Sequence, residues 1–478
     1  MSEPEKTSAI LAVDLDGTLL KSDMLYESFW SAASQNWRSA LRAVTALADG
    51  KAALKRALAQ SAPVDVETLP YNAEVLAYIA NHRAEGGQVA LVTATDQDIA
   101  DRIAAHLGVF DAVYGSDGQR NLKGDKKAAF LVETYGEGGF VYMGDHEADL
   151  AVWPRGLSAV TVNAPEALRE KAATLGVPVE HLGSSQREYA PYLKALRPHQ
   201  WLKNILVFLP MMLAQQFTLA TVAVSLLAFV AFSLVASSVY VLNDLLDLSA
   251  DRAHPRKCKR PFAAGSLPIA HGSFLAAGLF GGGLILSLLA GPAFLFVLLS
   301  YYAMTTAYSF YFKRRMVIDI CVLAGLYTMR IVAGGVAAAI PLSMWLLAFS
   351  IFLFFALAAV KRQAELVDNM KEGKLGPTGR GYHVEDLAII SQMAIGAGYI
   401  SVLVLALYMN SDQVVLMYPN PEILWGICLV LLFWVSWIVM KTHRGEMHDD
   451  PIIFAVKDRI SRICGLLVVG FILGGVLI

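Results

Sequence analysis

Apolar residues are spread unevenly along the chain, and the unevenness divides it in two. Beyond about residue 195, apolar runs of about twenty residues recur, each long enough to cross a bilayer core. Nine can be marked, at roughly 200–217, 220–242, 270–290, 292–311, 317–338, 342–360, 386–409, 421–440 and 460–478. Upstream the apolar runs are only as long as strands. AILAVDLDGTLL, QVALVTATD and FVYMGDHEADL each end in polar residues, and stretches of helical pattern separate them. The pattern predicts a parallel α/β domain over 1–185 followed by an all-α integral membrane domain over 186–478.

The loops between the nine apolar runs alternate in charge. Those at 243–269, 312–316, 361–385 and 441–459 hold nearly all the Lys and Arg of this half, and those near 218–219, 291, 339–341 and 410–420 hold none. The positive-inside rule then puts the basic loops and the N-terminal domain in the cytoplasm, and an odd number of spans puts the C-terminus outside. A multi-pass protein of the inner (cytoplasmic) membrane is expected. The start, MSEPEKTSAI, lacks a basic n-region and an apolar h-region, so no cleavable signal peptide is expected. With 39 Lys and Arg against 41 Asp and Glu the chain is near neutral, and no nucleic-acid partner is expected. Four scattered cysteines without CxxC spacing suit neither a disulfide framework nor a zinc site. Oligomeric state is left open, a homo-oligomer included.

In the soluble domain, polar residues fall at the carboxyl ends of the predicted strands, where α/β sheets bind ligands. Asp14 ends the first run, with Asp16 two residues on and Gly17 opening a turn. Thr93 ends the second, and Gly144-Asp145 the third, with Asp149 following; NLKGDKKAAFL lies between as a lysine-rich helix start. Such a set suits phosphoryl transfer: one carboxylate attacks phosphorus, a second moves the leaving-group proton, and Mg²⁺, Lys and Thr neutralise the transferring oxygens. Alone, DLDGT is only a strand-to-helix turn; the other three segments give it chemistry. All four, in this order, resemble the haloacid dehalogenase superfamily of phosphatases. The resemblance implies a Rossmannoid sheet with a small helical cap, here the insert from about 22 to 78, which sets the substrate. It implies Asp14 as nucleophile, Asp16 as general acid/base, Thr93 as phosphate ligand, and Mg²⁺ among Asp14, Asp16, Asp145 and Asp149. Lys127, with K-x-x-x-L spacing, is taken as the motif lysine, Lys123 standing close to it.

The membrane domain has its own polar cluster, NDLLDLSADRAHPRKCKRP at 243–261. Asp244, Asp247 and Asp251 fall at i, i+3 and i+7, which predicts three carboxylates on one helix face. They repel unless a cation sits among them, and oxygen ligands suit Mg²⁺, which commonly holds one or two carboxylates plus substrate phosphates. His254, Arg256, Lys257, Lys259 and Arg260 follow as partners for phosphate oxygens. A Mg²⁺-diphosphate site at the cytoplasmic edge explains the cluster; the blander reading is a basic loop that only sets topology. N-D-x-x-D-x-x-x-D followed by K-x-x-R-P resembles the first aspartate-rich motif of the UbiA superfamily of intramembrane prenyltransferases. The likeness covers residues 190–478 and implies a nine-helix bundle, with Asp244 and Asp247 holding the metal and Asn243, Asp251, Lys257 and Arg260 near the substrate.

Within that superfamily, LRPHQWLKNILVFLP, AYSFYFKRRMVIDI, RIVAGG and KRQAEL are most similar to the decaprenyl-phosphate phosphoribosyltransferases. These move 5-phosphoribose from phosphoribosyl diphosphate (PRPP) to a polyprenyl phosphate. Prenyl-transferring members carry a second motif, D-x-x-x-D, where this chain has Lys361, Arg362 and Glu365. A more anionic ligand set calls for more cationic protein. Lys361 and Arg362 are expected to bind the 5-phosphate or acceptor phosphate and Glu365 a ribose hydroxyl or metal, the alternative being residues that snorkel at a helix end. Arg197, Gln200, Lys203 and Asn204 stand at the entrance to the first apolar run; Lys203 suits a phosphate site or a lipid-headgroup anchor equally. Two rivals stay open. One is prenylation of an aromatic acceptor, beside a phosphatase of unrelated substrate; the other is a transporter or lipid-binding protein with a regulatory phosphatase-like domain.

Overall fold

The computed structural model describes residues 9–61, 64–117, 121–183, 189–377, 380–447 and 450–477. The expected domain boundary at 185 lies outside them. The chain forms two compact units, Met1–Leu196 with Tyr240–Ala277, and Arg197–Val239 with Gly278–Ile478.

In the first unit, strands β1 (Ile10–Val13), β2 (Val89–Asp96), β3 (Ala112–Ser116), β4 (Phe140–Gly144), β5 (Ser158–Val162) and β6 (Val179–Leu182) form one sheet. All are parallel, in the order β3-β2-β1-β4-β5-β6. Helices α1 (Met24–Thr45), α2 (Lys51–Ser61), α3 (Ala73–Ala84), α4 (Gln97–Leu107), α5 (Asp125–Tyr135) and α6 (Glu166–Ala173) connect them. All four residues of β1 are buried, because helices cover both faces. Leu11 and Val13 join a core with Val75, Ile79, Ile99 and Ile103 of α3 and α4. Ile10 and Ala12, pointing the other way, join one with Ala128, Leu131, Leu168 and Ala172 of α5 and α6. From the neighbours β1 and β4 the strand order runs outward in opposite directions. That reversal opens a crevice past their carboxyl ends.

Beyond the sheet follow α7 (Ala190–Leu196), α8 (Leu209–Leu213), α9 (Leu219–Leu246), α10 (Leu248–Arg252), α11 (Ile269–Ala290), α12 (Pro292–Phe310) and α13 (Ile318–Ala337). The chain continues as α14 (Met344–Lys371), α15 (Leu387–Met409), α16 (Asp412–Met417), α17 (Trp425–His443), α18 (Pro451–Lys457) and α19 (Arg459–Leu477). Among the described residues eight helices are long and apolar enough to cross a membrane, in α9, α11, α12, α13, α14, α15, α17 and α19. Nine were expected. The first apolar run instead forms a 3₁₀ helix, Pro198–Phe208, and the five-residue α8. Pro210 has no backbone N–H to donate to an α-helical ladder running through that point, although its carbonyl accepts from Ala214 N at 2.9 Å, and Gln215, at φ +52°, ends the segment.

In the second unit α13, α14, α15 and α17 share a core of Ile320, Ile331, Phe354, Leu357, Ile390, Ala394 and Ile438. Gly334 lets α13 approach the 3₁₀ helix: a Cβ there would lie 1.9 Å from the Val207 carbonyl oxygen.

Candidate functional site

The sheet brings the first unit's motif residues to one end. Asp14 follows β1 and Asp145 follows β4, and Val13 and Met143 are paired in register. A register shift in β2 between Val92 and Asp96 re-aims Thr93 and Thr95 at the same end. Asp14, Asp145 and Asp149 each offer an oxygen within 4.8 Å of the others. Gly17, at φ +77°, makes room for this: a Cβ there would stand 2.1 Å from Asp145 Oδ2. Lys127, starting α5, reaches Asp14 Oδ1 at 2.9 Å and donates to the Tyr142 hydroxyl at 2.8 Å. Tyr142 donates to Asp149 Oδ1 at 3.0 Å, and Asp149 Oδ2 accepts the backbone N–H groups of Asp145 and His146. Asp149 therefore shapes the loop as well as offering an oxygen. Asp16 accepts from Met24 N at 2.7 Å and from the Thr95 hydroxyl at 2.9 Å. Thr93 is fully buried, and its hydroxyl oxygen accepts from Thr95 N at 3.0 Å.

The electrostatics are those of a site short of positive charge. Burial and then the nearby Asp23 push the Asp16 carboxyl up to about 7. Burial and the Asp14 charge hold Asp145 well above the usual carboxylate range, and the same two causes raise Asp149. Three crowded, partly desolvated carboxylates fit a hard cation such as Mg²⁺. Tyr142 gave no signal in the sequence beyond being a strand residue. Its partners, Lys127 and Asp149, come from two other elements.

The aspartate-rich segment belongs to the first unit. α9 stops at Leu246, Asp247 has φ −100° and ψ 16°, and α10 begins one residue later. One unbroken helix face was expected; the helix breaks at Asp247, although Asp251 N still donates to Asp247 O at 2.7 Å. Asp244 and Asp251 are both buried, and Arg260 Nη1 bridges them at 3.1 and 2.6 Å. Two carboxylates thus converge on one cationic group, with Asp247 one helical turn from Asp244, and carboxylate oxygens of this kind suit Mg²⁺. Asn243 and Asp247 are half-buried beside them and Lys257 is exposed. In the same unit the Arg252 guanidinium makes a bidentate pair with Glu27 of α1 at 2.6 and 3.1 Å, and both side chains are buried.

In the second unit Lys203 Nζ and Lys361 Nζ lie 2.7 and 3.2 Å from Asp450 Oδ2. Burial favours the neutral acid, yet Lys361 and Lys203 hold Asp450 far below the usual carboxylate range. Sequence reasoning missed Asp450, which also N-caps α18 by accepting from Ile452 N. The one signal was an Asp-Pro pair ahead of an apolar stretch. Arg362 is buried; its Nε lies 3.0 Å from Asp319 Oδ2 and its Nη1 pairs with Glu365. Arg380 adds contacts to Asp319 at 3.6 Å and to Glu365 at 3.4 Å. Arg362 Nη2 and both ends of the buried Gln363 amide have no hydrogen-bond partner among the described residues. Asn204 donates to Ser233 and accepts from Arg330 at 2.9 Å, so it braces the helices. Arg197 opens the 3₁₀ helix at φ +52°, and Gln200 N donates to its carbonyl.

Comparison with known proteins agrees with both halves. The UbiA prenyltransferase family matches residues 204–452, and the haloacid dehalogenase-like hydrolases match residues 11–153. The chain is 37% identical over 463 residues to the uncharacterized protein y4nM of Sinorhizobium fredii, covering 96% of this chain and 89% of that one. It is 37% identical to the nodulation protein NoeC of Azorhizobium caulinodans, over 60% of this chain and 92% of that one. It is 33% identical to the decaprenyl-phosphate phosphoribosyltransferase of Mycolicibacterium smegmatis, over 59% of this chain and 90% of that one.

Proposed function

The chain belongs to the UbiA prenyltransferase family, with a haloacid dehalogenase-like hydrolase domain ahead of the membrane bundle, and from that premise we propose a two-step enzyme. The membrane domain transfers 5-phosphoribose from PRPP to a polyprenyl phosphate, and the hydrolase domain removes the 5-phosphate from the lipid product. The observation that carries this reading is the cationic replacement of the second aspartate-rich motif, where Lys361 and Arg362 stand with a single acid, Glu365.

In the transfer, a phosphate oxygen of the lipid attacks C1 of the ribose, and the bond from C1 to the diphosphate breaks. Asp244 and Asp247 would hold Mg²⁺, with Asn243, Asp251, Lys257 and Arg260 around the diphosphate. Lys203 and Lys361 take phosphate oxygens, two ammonium groups on one carboxylate leaving positive charge to spare. Arg362 offers Nη2, its other nitrogens being fixed by Asp319 and Glu365. Arg197, Gln200 and Asn204 position this end of the bundle. In the hydrolysis, Asp14 attacks phosphorus and Asp16 protonates the departing ribose oxygen; Asp16 then takes a proton from the water that releases phosphate. Thr93 and Lys127 bind the transferring oxygens. Asp14, Asp145 and Asp149, with Asp16 near, would hold Mg²⁺, which supplies charge neutralisation in both reactions. Both sites face the cytoplasm of a cell whose inner membrane holds the bundle.

Purified full-length protein with Mg²⁺ is offered PRPP with polyprenyl phosphate, or prenyl diphosphate with 4-hydroxybenzoate, and the lipids are weighed by mass spectrometry. A ribosyl lipid with released inorganic phosphate is expected. A prenylated aromatic product alone overturns the proposal.

A further inference from the structure

The cap helix α1 is two helices in one. Asn36 breaks it at φ −154° and ψ 99°, and its side chain accepts from Arg38 N at 3.1 Å, so a second helix restarts there with its own N-cap. That second segment has three faces. Ala40 and Ala43 are buried, Trp37, Leu41 and Val44 are exposed at i, i+4 and i+7, and Arg38 and Arg42 lie on the remaining side. Leu47, in the following turn, is exposed as well. Among the described residues up to 183, only five large apolar side chains are exposed, and the fifth is Leu157. Four of the five thus fall within eleven residues.

The first half of α1 says what lies beside this stripe. Trp30 Nε1 donates to Ser273 Oγ at 3.2 Å, and Ser273 sits in the second turn of the membrane-crossing helix α11. The next residue, Phe274, is 72% exposed, as expected of a side chain that meets lipid. Trp30 therefore stands beside the first turns of a membrane-crossing helix, and the stripe begins seven residues further on, just past the break at Asn36. We propose that residues 37–47 lie on the bilayer that holds the rest of the chain. Trp37, Leu41, Val44 and Leu47 enter the headgroup–acyl boundary, and Arg38 and Arg42 reach anionic lipid phosphates. Apolar side chains flanked by cationic ones on a short exposed helix match a membrane surface. The arrangement tethers the hydrolase cap to the surface from which a lipid-borne phosphate would come. The surface itself does not depend on which phosphate ester the domain cleaves.

The test measures depth rather than turnover. Full-length protein with its native cysteines changed to serine carries a nitroxide at Leu41→Cys, Val44→Cys or, as an aqueous reference, Glu137→Cys. It is reconstituted in vesicles of phosphatidylcholine and phosphatidylglycerol, and hydrolysis of a soluble phosphate ester certifies the fold. Labels at 41 and 44 are expected to collide severalfold more with oxygen, and severalfold less with a water-soluble nickel chelate, than the label at 137. Equal access to nickel at all three positions overturns the proposal. So does exclusion of both reagents at 41 and 44, which would mean that protein covers the stripe.

Discussion

Two buried charge clusters in this chain handle their acids in opposite ways. In the hydrolase domain three carboxylates, Asp14, Asp145 and Asp149, gather within 4.8 Å, and the Lys127 ammonium pairs with Asp14. In the membrane unit Asp319 and Glu365 are matched by Arg362 and Arg380. The first cluster is incomplete without a cation, and burial raises its acids accordingly. The second is neutral by itself, and its guanidinium and carboxylate groups mainly hold α13, α14 and the segment after α14 together. Charge excess, rather than the mere presence of charged residues, distinguishes a centre built for chemistry from one built to support it. By that criterion the two-lysine arrangement at Asp450, which carries one positive charge in excess, is the better match in the membrane unit for the proposed anion site.

Asp14→Asn should abolish phosphate release while leaving transfer intact, so that the phosphorylated lipid accumulates. Identical lipid products from wild type and variant after long incubation would disconnect the hydrolase from the transferase's product. Next, Asp244→Asn and Asp247→Asn in the full-length protein should reduce phosphoribosyl transfer to background while hydrolysis of a soluble phosphate ester continues. Near-normal transfer by both variants in Mg²⁺ would remove these residues from the metal site.

The neutral cluster gives a different kind of effect. Asp319→Ala leaves the Arg362 guanidinium buried and short of a partner, and should cost about 3–5 kcal/mol of stability. A thermal unfolding midpoint in detergent equal to that of wild type would show that the network does not support the fold. The smallest effect is expected at the lysine pair. Lys361→Gln should raise the apparent KM for PRPP about tenfold or more, as loss of a charge-assisted contact of about 1.5–3 kcal/mol implies, with less change in the KM for the lipid. An unchanged dependence on PRPP would move Lys361 to the lipid side or to topology.

Much of the hydrolase domain is legible in the sequence because its chemistry is local. Asp14, Thr93 and Asp145 each follow a short apolar run, and a parallel sheet necessarily brings such ends together. Most of the membrane-crossing helices are legible from length and apolarity alone. The run at 200–217 is not, because its hydropathy is high enough and only the geometry of Pro210 and Gln215 shortens it. The ion pairs of the membrane unit resist reading for another reason. Lys203 and Lys361 are 247 and 89 residues from Asp450, and no periodicity links acids and bases that meet only after the bundle forms. The partnering of Arg362 with Asp319 is hidden in the same way, and so its spare nitrogen could not be foreseen.

The buried pair of Glu27 with Arg252 carries a consequence for how the chain is made. The compact unit that contains Glu27 begins near the N-terminus but ends only at Ala277. A ribosome adding about 5–20 residues per second needs about 3–11 s to pass from Leu196 to Arg252. During that interval the sheet is complete, Glu27 has no guanidinium, and α9 has yet to be threaded into the bilayer. Final closure of the hydrolase domain therefore waits on insertion of a membrane helix. A failed insertion is thus felt in the hydrolase domain, as an exposed seam open to proteolysis.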